Sequence, residues 1–240
     1  MNISQFTFNS YYVNTYLLAA NDNKAVIIDP ACADKAEFAR LKKEIDEKKL
    51  DIVCILLTHP HADHVMGVKY VKDAFPNAQF LMHKEGLPLY KSANDYSLIM
   101  GFKKQEFPAP DGFVTDGQEL EFSDIKLNVF YTPGHAPGSV CYYAKADNVV
   151  FTGDVLFRNS IGRTDLPGGG YKMLCSSIRE KLFTLPGSTI VLPGHEEETN
   201  IGFEKQYNPF LRFEIWDLRL ETWDLGYETF WNYEFLTFNF

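Results

Sequence analysis

The run Thr58-His59-Pro60-His61-Ala62-Asp63-His64 packs three histidines and one aspartate into the residues just after Thr58. It follows directly on Ile52-Val53-Cys54-Ile55-Leu56-Leu57, an apolar, β-branched stretch of strand length. The cluster therefore sits at the carboxyl end of a buried strand, where open α/β sheets place their ligands. Imidazoles and carboxylates are the donors that borderline divalent metals accept. Side chains two apart on an extended segment point the same way, so His59 and His61 can reach one ion together. Pro60 keeps that segment extended. Asp63 and His64 fall at the start of an expected helix, His64 to Phe75, and can serve a second ion.

A second ion needs more donors, and the rest of the chain must supply them. Its 240 residues suit one large domain with a sizeable core. A net charge of −9 argues against a broad nucleic-acid footprint. No apolar run reaches membrane-spanning length. The N-terminus has no basic segment leading into a signal core. Cys32, Cys54, Cys141 and Cys175 are far apart and form no C-x-x-C pair, so no disulfide framework is expected. A cytoplasmic, reducing location is the expectation.

Taken in order, residues 3–19 read as strands, and Asn21-Asp22-Asn23 turns them into Ala25–Ile28. Asp29-Pro30 ends that strand. Asp34 is a helix cap for a segment through about Lys48, with Phe38, Leu41 and Ile45 at helical spacing. After the histidine cluster come a strand at Gln79–Met82 and a short helical piece at Leu87–Lys91. Residues 92–112 are expected to form a loop over the site. Glu119–Phe122, Ile125–Tyr131, Val140–Ala144, Val149–Thr152 and Thr189–Leu192 read as strands, Arg158–Gly170 as a loop, and Tyr171–Leu185 as a helix.

The recurrence at strand ends is the decisive pattern. Ile125–Tyr131 runs out into Thr132-Pro133-Gly134-His135, Val149–Thr152 into Gly153-Asp154, and Thr189–Leu192 into Pro193-Gly194-His195. Any one of these is an ordinary turn residue. Together with His59, His61, Asp63 and His64 they supply enough donors for two ions. His83 follows a strand without a neighbouring donor and is read as a non-ligand.

At these residues the chain resembles the metallo-β-lactamase-fold hydrolases. T-H-x-H-x-D-H, then G-H, then G-D, then G-H are all present in order. Within that superfamily it is similar to the glyoxalase II-related, hydroxyacylglutathione hydrolase-like branch. The supporting stretches are Thr132–Ser139, Gly153-Asp154-Val155-Leu156-Phe157 and Ile161-Gly162-Arg163-Thr164-Asp165. The resemblance covers residues 1–212, which it marks as the catalytic domain. It implies an α/β (α+β) fold: a four-layer αβ/βα sandwich of two mixed sheets with helices outside. It assigns His59, His61 and His135 to one ion, Asp63, His64 and His195 to a second, and Asp154 to a bridge between them. Asp63 and Asp154 become the candidate catalytic carboxylates. Two divalent ions are implied, zinc first, with iron or manganese as alternatives.

Charge supports that assignment. Asp63, Asp154 and one hydroxide leave two divalent ions with residual positive charge, suited to a carbonyl oxygen. Ions about 3.5–4 Å apart can share one hydroxide and bring its pKa towards ~7. That hydroxide attacks the carbonyl while a metal stabilises the oxyanion. A thiolate leaves without acid assistance, which makes a small-molecule thioester the expected substrate. A persulfide dioxygenase-like oxidoreductase with a single iron, or a lactonase, are the alternatives on the same fold.

The chain also departs from the glutathione-specific members. They carry a helical C-terminal region with basic residues, and here the family-like part ends near Asn208–Arg212. Arg163 and Lys172 are the candidate substrate-binding cations. Glu196-Glu197-Glu198 after His195 is read as a solvated acidic loop. Residues 213–240 split into four imperfect sevens, FEIWDLR, LETWDLG, YETFWNY and EFLTFNF. This aromatic extension is of unknown role: a functionally neutral extension is the first reading, and packing on the body or at a homodimer contact is the second.

Overall fold

The computed structural model describes residues 1–211. The aromatic sevens of 213–240 lie outside the described residues. β1 (Asn2–Phe8), β2 (Val13–Ala19) and β3 (Lys24–Ile28) form an antiparallel meander. From β3 the first sheet continues in parallel through β4 (Asp51–Leu56), β5 (Gln79–His83) and β6 (Gly112–Val114). Parallel pairing demands crossovers. α1 (Lys35–Glu47), α2 (Ala62–Val65) with α3 (Val68–Ala74), and α4 (Leu87–Lys91) with α5 (Ala93–Ile99) supply them.

The second sheet has the order β14-β13-β10-β9-β8-β7. Its strands are β7 (Glu119–Phe122), β8 (Ile125–Tyr131), β9 (Val140–Ala144), β10 (Val149–Gly153), β13 (Ile190–Pro193) and β14 (Thr199–Asn200). Only β10 and β13 pair in parallel there, and α6 (Tyr171–Glu180) lies in the crossover between them. β11 (Leu156–Phe157) and β12 (Ser160–Ile161) make a small separate ribbon, and α7 (Ile201–Tyr207) ends the described chain.

Strand alternation sorts the core into layers. Leu17, Ile27, Ile55 and Leu57 face outward onto Leu41 and Ile45 of α1 and Val68 and Val71 of α3. Their neighbours Leu18, Val26, Ile28 and Leu56 face inward onto Leu127, Val129, Tyr142 and Phe151 of the second sheet. That sheet's other face, through Val150 and Val191, carries Leu174 and Ile178 of α6. Two mixed sheets with helices outside are thus the observed architecture.

Local chemistry starts the helices. The Asp34 carboxylate accepts from Ala36 N at 2.8 Å and Glu37 N at 2.9 Å, which caps α1 as expected. Leu41 and Ile45 are then buried, each contributing roughly 1.5–3 kcal/mol.

Four expectations need correction. The helix expected over His64–Phe75 is two helices, interrupted at Met66-Gly67. Gly67 N–H donates to Pro30 O at 2.7 Å, and a Cβ on Gly67 would overlap Cys32 Sγ, so the chain turns where only glycine fits. The segment 92–112 is not all loop, since it holds α5 and leads into β6. The helix from Tyr171 stops at Glu180 and is followed by one 3₁₀ turn, Leu182–Thr184. The loop from Arg158 contains β12 of the small ribbon.

Candidate metal centre

The carboxyl ends of β4, β8, β10 and β13 all open onto one edge of the sandwich. His59 and His61 leave β4 in extended conformation, with His61 at φ −63° and ψ 150° as the residue before α2. The single turn of α2 then presents Asp63 and His64. His135 comes from the β8–β9 loop, Asp154 from the end of β10, and His195 from the end of β13. Gly194 lets the last of these loops pass: a Cβ there would overlap Asp154 Oδ1 and lie 2.7 Å from His64 Cε1.

Four of the five imidazoles are aimed by a partner behind them. His135 Nδ1–H donates to Arg163 O and His195 Nδ1–H to Tyr11 O, both at 2.9 Å. A carbonyl only accepts, so each ring in its neutral form has a bare Nε2 facing inward. The Thr58 hydroxyl donates to Asp29 Oδ2 at 2.6 Å and accepts from His59 Nδ1 at 3.1 Å, which bares His59 Nε2. His64 Nδ1–H donates to the same Asp29 oxygen at 3.1 Å. His61 presents Nδ1, which lies 2.9 Å from His135 Nε2.

Two donor groups result. His59, His61 and His135 converge with ligand atoms within 4.8 Å of one another, and Asp63, His64 and His195 do the same. Between them lies Asp154. Its Oδ2 is 3.9 Å from His59 Nε2, 3.6 Å from His135 Nε2 and 3.4 Å from His195 Nε2, and its Oδ1 is 3.3 Å from His64 Nε2. Asp29, His59 and His64 also meet the spacing of a donor group. There Asp29 is an anchor and not a ligand, since Thr58 N, Thr58 Oγ1 and His64 Nδ1 already use its two oxygens.

The donor set fits two divalent cations. His59 Nε2 and Asp154 Oδ1 are buried polar atoms without a hydrogen-bond partner, a costly arrangement that a cation relieves. Protonation states agree in the first group and differ in the second. Burial, then the neighbouring His64, holds His59 well below the usual imidazole value. Burial and His135 bring His61 down to about 4, and burial also lowers His135. These three are neutral donors. In the other group burial opposes charge, but Asp154 and Asp63 outweigh it. They raise His64 well above the usual imidazole value and His195 to about 9. Burial likewise opposes ionisation of Asp63 and Asp154, and His64 foremost keeps both below the usual carboxylate value.

Of the substrate candidates, Arg163 lines the cleft above the donors, but its guanidinium is paired with Asp165 through two contacts of 2.8 Å. Lys172 is exposed in the first turn of α6 and is not among the cleft-lining residues. His83 stacks on Tyr131 at 4.4 Å, and its Nδ1 accepts from Glu85 N. Glu196, Glu197 and Glu198 are exposed, with Glu197 paired to Arg158 at 3.4 Å. Sequence reasoning passed over three supports: Asp29, Asn9 and Asn14. The strand-end pattern also covers Asp29, which had been read only as a strand terminator. Asn9 Nδ2 donates to Asp63 O at 2.9 Å, and Asn14 Nδ2 donates to Pro193 O and Glu196 O either side of His195.

Comparison with known proteins agrees with this geometry. The metallo-beta-lactamase superfamily model matches residues 9–195. The chain is 40% identical over 199 residues to "Probable metallo-hydrolase YqgX" of Bacillus subtilis (strain 168), covering 82% of this chain and 92% of that protein. It is 35% identical over 212 residues to "Hydroxyacylglutathione hydrolase GloC" of Haemophilus influenzae, covering 88% and 98% respectively. A crystal structure described as TTHA1623 in a di-iron-bound form aligns with TM-score 0.78 and 36% identity, over 87% of this chain and 100% of that one. The structure of ETHE1 from Myxococcus xanthus aligns with TM-score 0.71 and 28% identity, over 87% and 84%. The chain belongs to the metallo-beta-lactamase superfamily, in its glyoxalase II-related branch.

Proposed function

We propose that the protein is a dinuclear metal-dependent thioester hydrolase of glyoxalase II type. The observation that carries this reading is Asp154, a buried carboxylate within 3.3–3.9 Å of four imidazole nitrogens drawn from both donor groups. His59, His61 and His135 would hold one divalent ion, and Asp63, His64 and His195 the other. Such a pair supplies an activated water and an electrophile for a carbonyl oxygen. Asp63 and Asp154 contribute two fixed negative charges, fewer than the ions bring, so the site stays attractive to a developing oxyanion. Thr58, Asp29, Arg163 O and Tyr11 O orient the rings of His59, His64, His135 and His195, so these four donors need no rearrangement as charge develops. No side chain of the site is assigned as a general acid, and a thiolate leaving group requires none.

Zinc is the first choice of metal, and the di-iron-bound relative keeps iron in view. Among the described residues no helix is long and apolar enough to cross a membrane. A cytoplasmic location belongs to the same reading, supported by four free, buried cysteines. The test is metal analysis of the purified protein beside a panel of thioesters and lactones, with His59→Ala as the control. Two ions per chain and thioester turnover that His59→Ala abolishes are expected. One iron per chain, with oxygen consumed on glutathione persulfide, would replace this reading with a dioxygenase.

A further inference from the structure

Above the donor groups lies a cleft of about 480 Å³ whose polar floor is the metal-ligating set. Its walls are different in character. Leu89, Tyr96, Ile99 and Met100 form one side, and Leu166 and Pro167 the other. The first wall is braced, since the Tyr11 hydroxyl donates to Met100 O at 3.3 Å and the Tyr11 ring packs on Phe102 at 5.5 Å. Ile99 is 82% exposed and Tyr96 41%, so this wall offers apolar surface that the described residues leave uncovered. Contiguous apolar surface beside a catalytic centre marks a ligand groove. Among the described lining residues Arg163 is the one lysine or arginine, and Asp165 already pairs with it.

We infer that the cleft selects a thioester with an apolar, uncharged limb and does not recognise an anionic peptide thiol. This rests on the thioester-hydrolase reading and narrows its substrate class. On the described walls a thiol carrying two carboxylates would meet no unpaired lysine or arginine, and binding it there would mean stripping the carboxylates of water with nothing on those walls to pair them. An alkyl or aryl limb loses nothing polar and covers Ile99, Leu89 and Leu166. Each fully buried methylene is worth about fourfold in binding. On a groove open along one side, four methylenes should raise kcat/KM by about tenfold to a hundredfold.

The experiment measures kcat/KM on the metal-loaded enzyme in two arms. One arm lengthens the acyl chain from acetyl to hexanoyl on the neutral thiol N-acetylcysteamine. The other holds acetyl fixed and changes the thiol from N-acetylcysteamine to benzyl mercaptan to glutathione, all alkyl thiols of similar leaving ability. At least a tenfold rise along one arm is expected, and the arm that rises says whether the limb is acyl or thiol. Ile99→Asp should then cut the ratio of long-limb to short-limb kcat/KM at least fivefold. Flat responses in both arms, a preference for the glutathione thioester, or an unchanged ratio in Ile99→Asp would each overturn the inference while leaving thioester hydrolysis standing. Absence of turnover on every thioester would instead remove the hydrolase reading beneath it.

Discussion

Replacing Asp29 by asparagine should weaken one metal ion and spare the other, although Asp29 is assigned to neither. Its Oδ1 accepts from Thr58 N at 2.7 Å, and its Oδ2 accepts from Thr58 Oγ1 at 2.6 Å and from His64 Nδ1 at 3.1 Å. Asparagine keeps the shape but turns one acceptor into a donor. If the amide nitrogen takes the Oδ1 place, it confronts Thr58 N–H, donor against donor, in a fully buried position. The amide therefore turns the other way and points at His64 Nδ1. His64 must then give up its Nδ1 proton and, with an ion bound, can no longer keep its one ring proton away from Nε2, the nitrogen that faces Asp154 and the second ion. Losing such an orienting partner typically costs about 10- to 100-fold in metal affinity, or roughly 1.4–2.7 kcal/mol. The Asp63, His64 and His195 group should suffer that loss. The His59, His61 and His135 group should keep its affinity, since the Thr58 hydroxyl, losing its acceptor at Oδ2, has two lone pairs and can accept from both the turned amide and His59 Nδ1. Calorimetric titration of metal-free Asp29→Asn with zinc, beside elemental analysis, resolves the two affinities. Two ions bound as tightly as in the unaltered protein would refute the tautomer argument. Equal weakening of both would show that Asp29 acts on the whole strand end and not on His64.

Metal binding should also release protons unequally. At pH 7 the ion held by His59, His61 and His135 meets neutral rings and displaces few. The ion held with His64 and with His195, raised to about 9, must displace protons from both rings, so its affinity falls as pH falls. Titrations in two buffers of different ionisation enthalpy count these protons, and zero release for both ions would contradict the assigned charge states. Cys32, Cys54 and Cys141 are fully buried, and burial pushes each thiol up to about 12. Disulfide reagents at pH 8 should label these three only as fast as the protein unfolds, and rapid native labelling mapped to any of them would break the core description. Gly67→Ala should destabilise the protein by about 1–3 kcal/mol, because its Cβ would press on Cys32 Sγ and Pro30 O. Denaturant unfolding reads this directly, and a midpoint unchanged from the unaltered protein would mean that the α2–α3 break is not enforced by that contact.

All seven residues that converge at the sheet edge are legible in the sequence as candidate donors, and the reason is local. Each lies within a few residues of a strand whose alternation or apolar run is visible by itself, and each is a residue type whose chemistry singles it out. The α2–α3 break was not legible because its cause, Cys32 beside Gly67, lies far away in sequence. α5 was missed because only Ala93 and Ser97 of its residues are buried, too few to mark a helical period. Asp29, Asn9 and Asn14 were missed for a different reason: aspartate and asparagine at strand ends and turns are ordinary, and only their partners reveal them. Those partners make the N-terminal hairpin part of the site. Tyr11 O fixes the His195 ring, Asn9 holds Asp63 O, and Asn14 and the Tyr16 hydroxyl both donate to Pro193 O, just before His195. The hairpin of β1 and β2 supplies no ligand, yet it sets the positions of two of the three residues assigned to the second ion. A donor set can therefore be read from residue types and strand ends, whereas its geometry depends on contacts between segments that carry no signature of their own.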